Sequence, residues 1–155
     1  MRHLRFGLTI PMLLVMGAMA AGGDLIAGVL YDARYQDVGV IIAAVAMAQM
    51  PMLIGLTYDQ AALAAGDGRG FFFVQAIRAA LQTTALIIGA GWGGLGGALL
   101  GQGLALALTH PFLIRLARRH KAWDPRHDLT AAALALVLII ALCWSGRDEL
   151  LTLFG

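Results

Sequence analysis

Long apolar runs, separated by short polar or glycine-rich breaks, follow one another along almost the whole chain. Five of these runs reach the roughly 20 helical residues needed to span a hydrocarbon core about 30 Å thick. We predict helices at residues 8–30, 39–65, 71–91, 93–114 and 129–146. The breaks are a polar segment at 31–38, a Gly-Asp-Gly-Arg-Gly cluster at 66–70, a glycine-rich turn at Trp92 and a basic loop at 115–128.

Composition places these helices in a bilayer. Of the 155 residues, 60% are hydrophobic and 13% are charged, whereas soluble domains carry about 25% charged residues. A soluble chain of this size could not bury so much apolar surface. Membrane β-barrels alternate apolar and polar residues, but runs such as 131–142 are apolar on every helical face. The sequence therefore predicts an all-α, integral-membrane bundle of about five transmembrane helices in a single domain over residues 1–155.

The basic residues predict the orientation of the five helices. If the helices alternate in direction, nine of the eleven Lys and Arg residues fall on the N-terminal side. By the positive-inside rule, this distribution puts the N-terminus in the cytoplasm and the C-terminus on the opposite side of the membrane. We expect the membrane to be a bacterial inner membrane, so the opposite side is the periplasm. The nine are Arg2, Arg5, Arg69, Arg78, Arg115, Arg118, Arg119, Lys121 and Arg126, against Arg34 and Arg147 on the other side.

The first apolar run has a second interpretation, as a cleaved signal peptide. Two arginines precede it, and the Ala-Met-Ala at 18–20 is typical of a cleavage site. Apolar character resumes at 25–30, which favours a full-length span.

Residues 22–35 read Gly-Gly-Asp-Leu-Ile-Ala-Gly-Val-Leu-Tyr-Asp-Ala-Arg-Tyr. This segment resembles a helix-and-loop element of the polysaccharide flippases in the multidrug/oligosaccharidyl-lipid/polysaccharide exporter superfamily. Weaker similarities follow in the same order at 62–69, 93–108, 118–120 and 123–126. The resemblance extends over nearly the whole chain, but only the first motif is specific.

The resemblance implies a transporter of twelve to fourteen helices in two lobes, which moves lipid-linked saccharide repeat units across the inner membrane for lipopolysaccharide, exopolysaccharide or capsule assembly. This chain corresponds to helices nine to thirteen, part of the C-terminal lobe. Its partners would be the bilayer, the lipid-linked saccharide and a missing N-terminal lobe or other membrane subunit. Three alternatives stay open: a nonenzymatic subunit packed on a larger partner, a fragment without activity of its own, and a membrane enzyme acting on lipid phosphates.

Polar residues inside the apolar runs are the candidate substrate-binding groups, because charge is costly in a membrane. Asp59 and Arg78 fall at similar depths on either side of the 66–70 break, so they could form an ion pair. Gln75 and Gln82 share a helix face with Arg78. The four residues could line a cavity in which Arg78 binds the pyrophosphate of the lipid-linked sugar. A purely structural pair, or an arginine that extends to the interface, is the competing interpretation.

Two further residues are candidates for ion coupling. His110 is the first, because histidine is the side chain type suited to carrying a proton near neutral pH, although a lone histidine in a membrane helix is commonly hydrogen-bonded to a neighbouring helix. Asp24 is predicted near the outer interface. Gly93, Gly97 and Gly101 recur every fourth residue and predict a close helix-packing seam, which could also take a partner subunit. Asp128 is predicted to cap the last helix.

Several classes of function have no motif in the sequence. The chain lacks a Ser-His-Asp arrangement, a His-x-x-x-His or Cys-x-x-Cys metal motif, and the Gly-Lys-Ser/Thr ending of a phosphate loop. Its basic residues are too few and scattered for nucleic acid. Cys143 alone can form neither an internal disulfide nor a multi-cysteine metal site. We therefore expect no catalytic activity, no cofactor, no metal and no nucleic-acid partner.

Overall fold

The computed structural model describes residues 2–30 and 38–154, and within these two ranges every regular element is helical. The elements are α1 (Arg2–Ala21), α2 (Gly23–Leu30), α3 (Val38–Ala64), α4 (Gly68–Arg119), α5 (Pro125–Ser145), α6 (Arg147–Leu151) and a final 3-10 turn (Thr152–Phe154). The predicted all-α class is confirmed for this part of the chain. Residues 31–37 lie outside the described residues. They hold all but the last residue of the predicted polar segment, and the Tyr-Asp-x-Arg-Tyr end of the motif at 22–35.

Four of the described helices are long and apolar enough to cross a membrane: Leu4–Ala21, Val38–Ala64, Gly68–Arg119 and Pro125–Ser145. Few of their side chains are covered by the rest of the chain; in the most apolar stretch of Gly68–Arg119 only 6% of the residues are buried. Large apolar surfaces of this kind are stable in lipid and unfavourable in water. The chain is a multi-pass membrane protein.

Helix α4 folds back on itself. Gly93 and Gly94 have non-helical dihedral angles, and the φ of Gly94 is 54°, a left-handed value that favours glycine. Beyond this break Gly101 packs on the backbone of Ala85, sixteen residues earlier. A straight helix would separate these two residues by about 24 Å. Residues 68–92 and 95–119 therefore form an antiparallel hairpin, and its two halves correspond to the helices predicted at 71–91 and 93–114.

The glycine seam lies between the two halves of this hairpin. A methyl group on Gly97 would collide with the backbone carbonyl of Gly89, and one on Gly101 with that of Ala85. The two halves of the hairpin therefore approach each other closely at Gly97 and Gly101. The inclusion of Gly93 was wrong, because this residue lies in the turn, where a Cβ would contact the ring of Phe154. The seam is only partly covered within the chain, because its glycines also border an open apolar groove of about 540 Å³ that is lined by Trp92, Leu100 and Leu104.

Replacing Gly97 with alanine is expected to destabilise the hairpin by about 2 kcal/mol, because the new methyl group meets backbone atoms that cannot rotate away. Thermal unfolding of the detergent-solubilised chain, followed by circular dichroism, measures the effect. Gly91→Ala is the matched control, since a Cβ at Gly91 would meet nothing within 4 Å. Equal melting temperatures for the two variants would contradict the close approach.

Several predicted boundaries need correction. Helix α1 begins at Arg2 and α4 at Gly68, before the predicted starts at residues 8 and 71. The first helix is interrupted at Gly22, where α1 gives way to the short α2. The predicted loop at 115–128 is mostly helical, because α4 continues to Arg119 and α5 begins at Pro125. Proline suits the first position of a helix, where its missing N–H group is not needed.

The cap of α5 was also predicted wrongly. The side chain of Asp124, not of Asp128, accepts hydrogen bonds from the backbone N–H groups of Arg126 and His127. Because Pro125 occupies the first turn, the capping position falls one residue before it. The carboxylate of Asp128 is thereby left for tertiary contacts.

Helix α3 is central to the fold, with α1, α2, α4 and α5 packed against it. One apolar cluster, around Leu13 and Met50, joins α1, α3 and α5. A second, around Tyr58 and Leu113, joins α3 to both halves of α4. The second cluster lies near what we call the basic end, where α1 begins, α3 turns into α4, and α4 leads into α5. The basic residues of this end are Arg5, Arg69, Arg115, Arg118, Arg119, Lys121 and Arg126.

Candidate functional site

Asp59 of α3 and Arg78 of the first half of α4 form the predicted ion pair. Nη2 of Arg78 lies 3.1 Å from Oδ2 of Asp59, and both side chains are largely buried. Gln75, one turn before Arg78, completes the group: its Oε1 accepts a hydrogen bond from Nη1 of Arg78 at 3.0 Å, and its Nε2 donates to Asp59 at 3.5 Å. Among the described residues, Arg78 hydrogen-bonds with Asp59 and Gln75 but not with Gln82.

The ion pair leaves part of its hydrogen-bonding capacity unused. Nε of Arg78 and Oδ1 of Asp59 are buried and have no hydrogen-bond partner among the residues that the structure describes. A guanidinium binds a phosphate or carboxylate best through two parallel N–H groups, such as Nε and Nη2. In Arg78 one of these two groups is occupied by Asp59 and the other is free.

Asp128 is the centre of a second polar cluster, which joins α3, α4 and α5. Its Oδ1 accepts a hydrogen bond from the hydroxyl group of Tyr58 at 2.5 Å, and its Oδ2 accepts one from Nε1 of Trp123 at 3.0 Å. Two imidazole nitrogens are also close: Nε2 of His110 lies 3.3 Å from Oδ2, and Nδ1 of His127 lies 3.3 Å from Oδ1. The carboxylate of Asp128 thus contacts four side chains. His127 is on the same helix, and the other three are on α3, on α4 and in the loop before α5.

Helix α1 is tied to the same cluster. Nε2 of the fully buried His127 lies 3.0 Å from the hydroxyl oxygen of Thr9, and the ring of Phe6 meets the His127 ring edge-on at 5.2 Å. The guanidinium of Arg5 lies 5.0 Å from the centre of the Tyr58 ring and donates a hydrogen bond to the carbonyl group of Ala122. The polar contacts of the basic end therefore extend across α1, α3, α4 and α5.

His110 of α4 lies within hydrogen-bonding distance of Asp128 of α5, so it contacts a neighbouring helix. It also lines a small cavity of about 10 Å³ together with Arg78 and Gly55. This cavity lies between the Asp59–Arg78 pair and the Asp128 cluster, so the two polar groups are neighbours within the bundle.

Asp24, the other candidate for ion coupling, lies at the opposite end of the bundle. It is exposed in the first turn of α2, beside Gly39 at the start of α3, and borders an open cavity of about 260 Å³. His110 and Asp24 therefore do not belong to one site.

Asp67 closes the turn between α3 and α4 at the basic end. Its Oδ1 accepts a hydrogen bond from the backbone N–H of Gly70 at 2.8 Å, and its Oδ2 lies 2.9 Å from Nε2 of His120. The Gly70 N–H and, after it, the His120 side chain hold the pKa of the Asp67 carboxyl below its ordinary value. Asp67 therefore stays ionised at neutral pH and at mildly acidic pH.

Sequence reasoning missed the Asp128 cluster. Tyr58, His127 and Thr9 are single residues in different segments, and no spacing rule relates them. One signal was available: four polar residues, at 124, 126, 127 and 128, fall at the cap and in the first turn of an otherwise mostly apolar helix.

Comparisons with protein-family models, curated proteins and solved structures give no match to this chain. Within residues 2–30 and 38–154, no group of three or more His, Cys, Asp or Glu side chains is arranged to hold a metal ion. The strongest functional candidate on this part of the chain is the buried charge at Arg78 and Asp59.

Proposed function

We propose that the chain is the membrane-embedded portion of a transporter that translocates lipid-linked saccharide repeat units across the bacterial inner membrane. The observation that carries the proposal is the Arg78–Asp59–Gln75 group, a buried and incompletely hydrogen-bonded charge pair between two membrane helices. Charged residues at such positions commonly line substrate or ion pathways. The similarity of residues 22–35 to the polysaccharide flippases adds the class of substrate.

The pyrophosphate of the lipid-linked saccharide is the group that Arg78 would bind. An incoming phosphate oxygen would compete with Asp59 for Nη2 and would find Nε unoccupied. The planar fork of arginine could then donate two hydrogen bonds to the phosphate, which a lysine cannot do. Asp59 would hold the guanidinium in position between transport cycles and would be displaced when the substrate binds.

The orientation and the partner belong to the same proposal. The basic end faces the cytoplasm by the positive-inside rule, so the Arg78 group lies in the cytoplasmic half of the bundle. A second lobe or membrane subunit would complete the substrate pathway. The outer surface of α4, which the rest of the chain hardly covers, offers room for such contact.

Replacing Arg78 with alanine in the chromosomal gene is expected to abolish export of the cell-surface polysaccharide, because the pyrophosphate loses its bidentate donor. Arg78→Lys should reduce export at least about tenfold, since the charge stays but the planar fork is lost. The measurements are polysaccharide on the cell surface and lipid-linked intermediate retained in the inner leaflet. An immunoblot of the membrane fraction reports the abundance of each variant.

Arg126→Ala is the matched control, since Arg126 is an exposed arginine at the same end of the bundle. It should export polysaccharide normally. Normal export by Arg78→Ala, at normal abundance, would exclude Arg78 from a substrate site.

A further inference from the structure

A groove opens at the basic end between the two halves of α4. Its volume is about 340 Å³. One wall is formed by residues 67–74, at and just before the start of α4, and the other by residues 112–119, at the end of α4. Arg69 borders the groove on the first half, and Arg115 and Arg119 border it on the second. All three arginines are exposed, and they converge there because the hairpin brings residues about fifty positions apart onto neighbouring turns.

The positive charge of the groove is only partly neutralised by the protein. In the described part of the chain, the ion pairs of arginine are those of Arg78 and Arg147, and neither involves the three arginines of the groove. One carboxylate, that of Asp67, also borders the groove. Its two oxygens are engaged by the Gly70 N–H group and by His120. Three guanidinium groups therefore face one carboxylate that already has other partners.

The groove changes from charged to apolar with depth. Phe73 lies one turn below Arg69, about 6 Å deeper, and Phe112 lies about 10 Å deeper than Arg119 along the second half. Both phenyl rings are exposed. A soluble anion would contact only the charged rim, whereas an amphipathic ligand would contact both the arginines and the rings.

We propose that this groove binds the phosphate headgroup of an anionic phospholipid, with the guanidinium groups of Arg69, Arg115 and Arg119 around the phosphate and the first acyl carbons against Phe73 and Phe112. Basic pockets between membrane helices on the cytoplasmic side are suited to such headgroups. The site is separate from the Arg78 group, which lies deeper and between α3 and α4. A lipid bound in the groove would contact both the beginning and the end of α4, and would stabilise the hairpin at the end opposite its turn.

Native mass spectrometry of the full chain, purified in detergent and titrated with phosphatidylglycerol or phosphatidylcholine of the same acyl chains, tests the proposal. Phosphatidylglycerol should bind the wild-type chain in preference to phosphatidylcholine. Arg115→Gln/Arg119→Gln should weaken phosphatidylglycerol binding about thirtyfold, and Arg115→Gln alone by a smaller factor. Phe73→Ala/Phe112→Ala should also weaken it, and millimolar inorganic phosphate should not displace the lipid.

Lys121→Gln/Arg126→Gln is the matched control, because it removes two exposed positive charges from the same end without touching the groove. It should bind phosphatidylglycerol like the wild type. Equal binding of the two lipids, an equal loss in the control variant, or displacement by inorganic phosphate would each overturn the proposal. None of these outcomes depends on transport, so the lipid site and the transport function can fail separately.

Discussion

Replacing Asp128 with alanine is expected to lower the stability of the bundle by about 4 kcal/mol, among the largest effects of any single substitution in the chain. Truncation would remove the acceptor of the indole N–H of the partly buried Trp123. The buried hydroxyl group of Tyr58 would lose its 2.5 Å hydrogen bond and keep only the 3.3 Å bond to the carbonyl oxygen of Asp124. Truncation would also remove the carboxylate that faces His110 and His127. The loss is large because the same carboxylate connects three helices and the loop before α5.

The measurement is thermal unfolding in detergent, together with protection of the backbone amides of α5 from hydrogen exchange. Asp128→Asn should have an intermediate stability, because it keeps the shape and one acceptor oxygen but loses the negative charge. Asp148→Ala is the control at the opposite end of the bundle, where the carboxylate is 90% exposed. If Asp128→Ala melted at the same temperature as Asp148→Ala, the contacts of Asp128 would not contribute to stability.

The membrane helices could be predicted because a helix surrounded by lipid must be apolar on nearly every face, and this composition is visible in the sequence of each run. Lipid surrounds most faces of these helices, so the sequence needs no tertiary information to reveal them. The break in α4 was visible in the same way, as a cluster of glycines around Trp92. The Asp59–Arg78 pair could also be predicted, since a short turn between two antiparallel helices puts residues equally far from the turn at equal depth.

The Asp128 cluster could not be predicted, because its contacts depend on tertiary packing and not on local sequence. His127 and Thr9 are 118 residues apart, and their contact depends on how α1 and α5 pack. The prediction that Asp128 caps α5 used the local preference of aspartate for helix N-termini, but Asp124 has the same preference and precedes the proline. Likewise, Gly93 fits the four-residue spacing of the seam, yet it lies in the hairpin turn, where its backbone is not helical.

A substitution of Asp59 separates a structural from a functional role of the buried ion pair. Asp59→Leu leaves the guanidinium of Arg78 buried with Gln75 as its remaining partner, and we expect a loss of about 3–5 kcal/mol. Asp59→Leu/Arg78→Leu removes both charges, and its stability should return to within about 1 kcal/mol of the wild type, because apolar side chains suit the site as well as a desolvated pair does. Unfolding in detergent measures both variants.

The double variant then decides what the pair is for. If Arg78 binds the pyrophosphate, Asp59→Leu/Arg78→Leu will accumulate in the membrane at wild-type abundance and yet export no polysaccharide. A stable double variant that exports normally would reduce the pair to a packing contact, since the chain would then transport without any charge at this depth. Arg126→Ala is again the control, because it removes an exposed charge of the basic end that lies outside the ion pair. Its export and its stability should both remain close to those of the wild type.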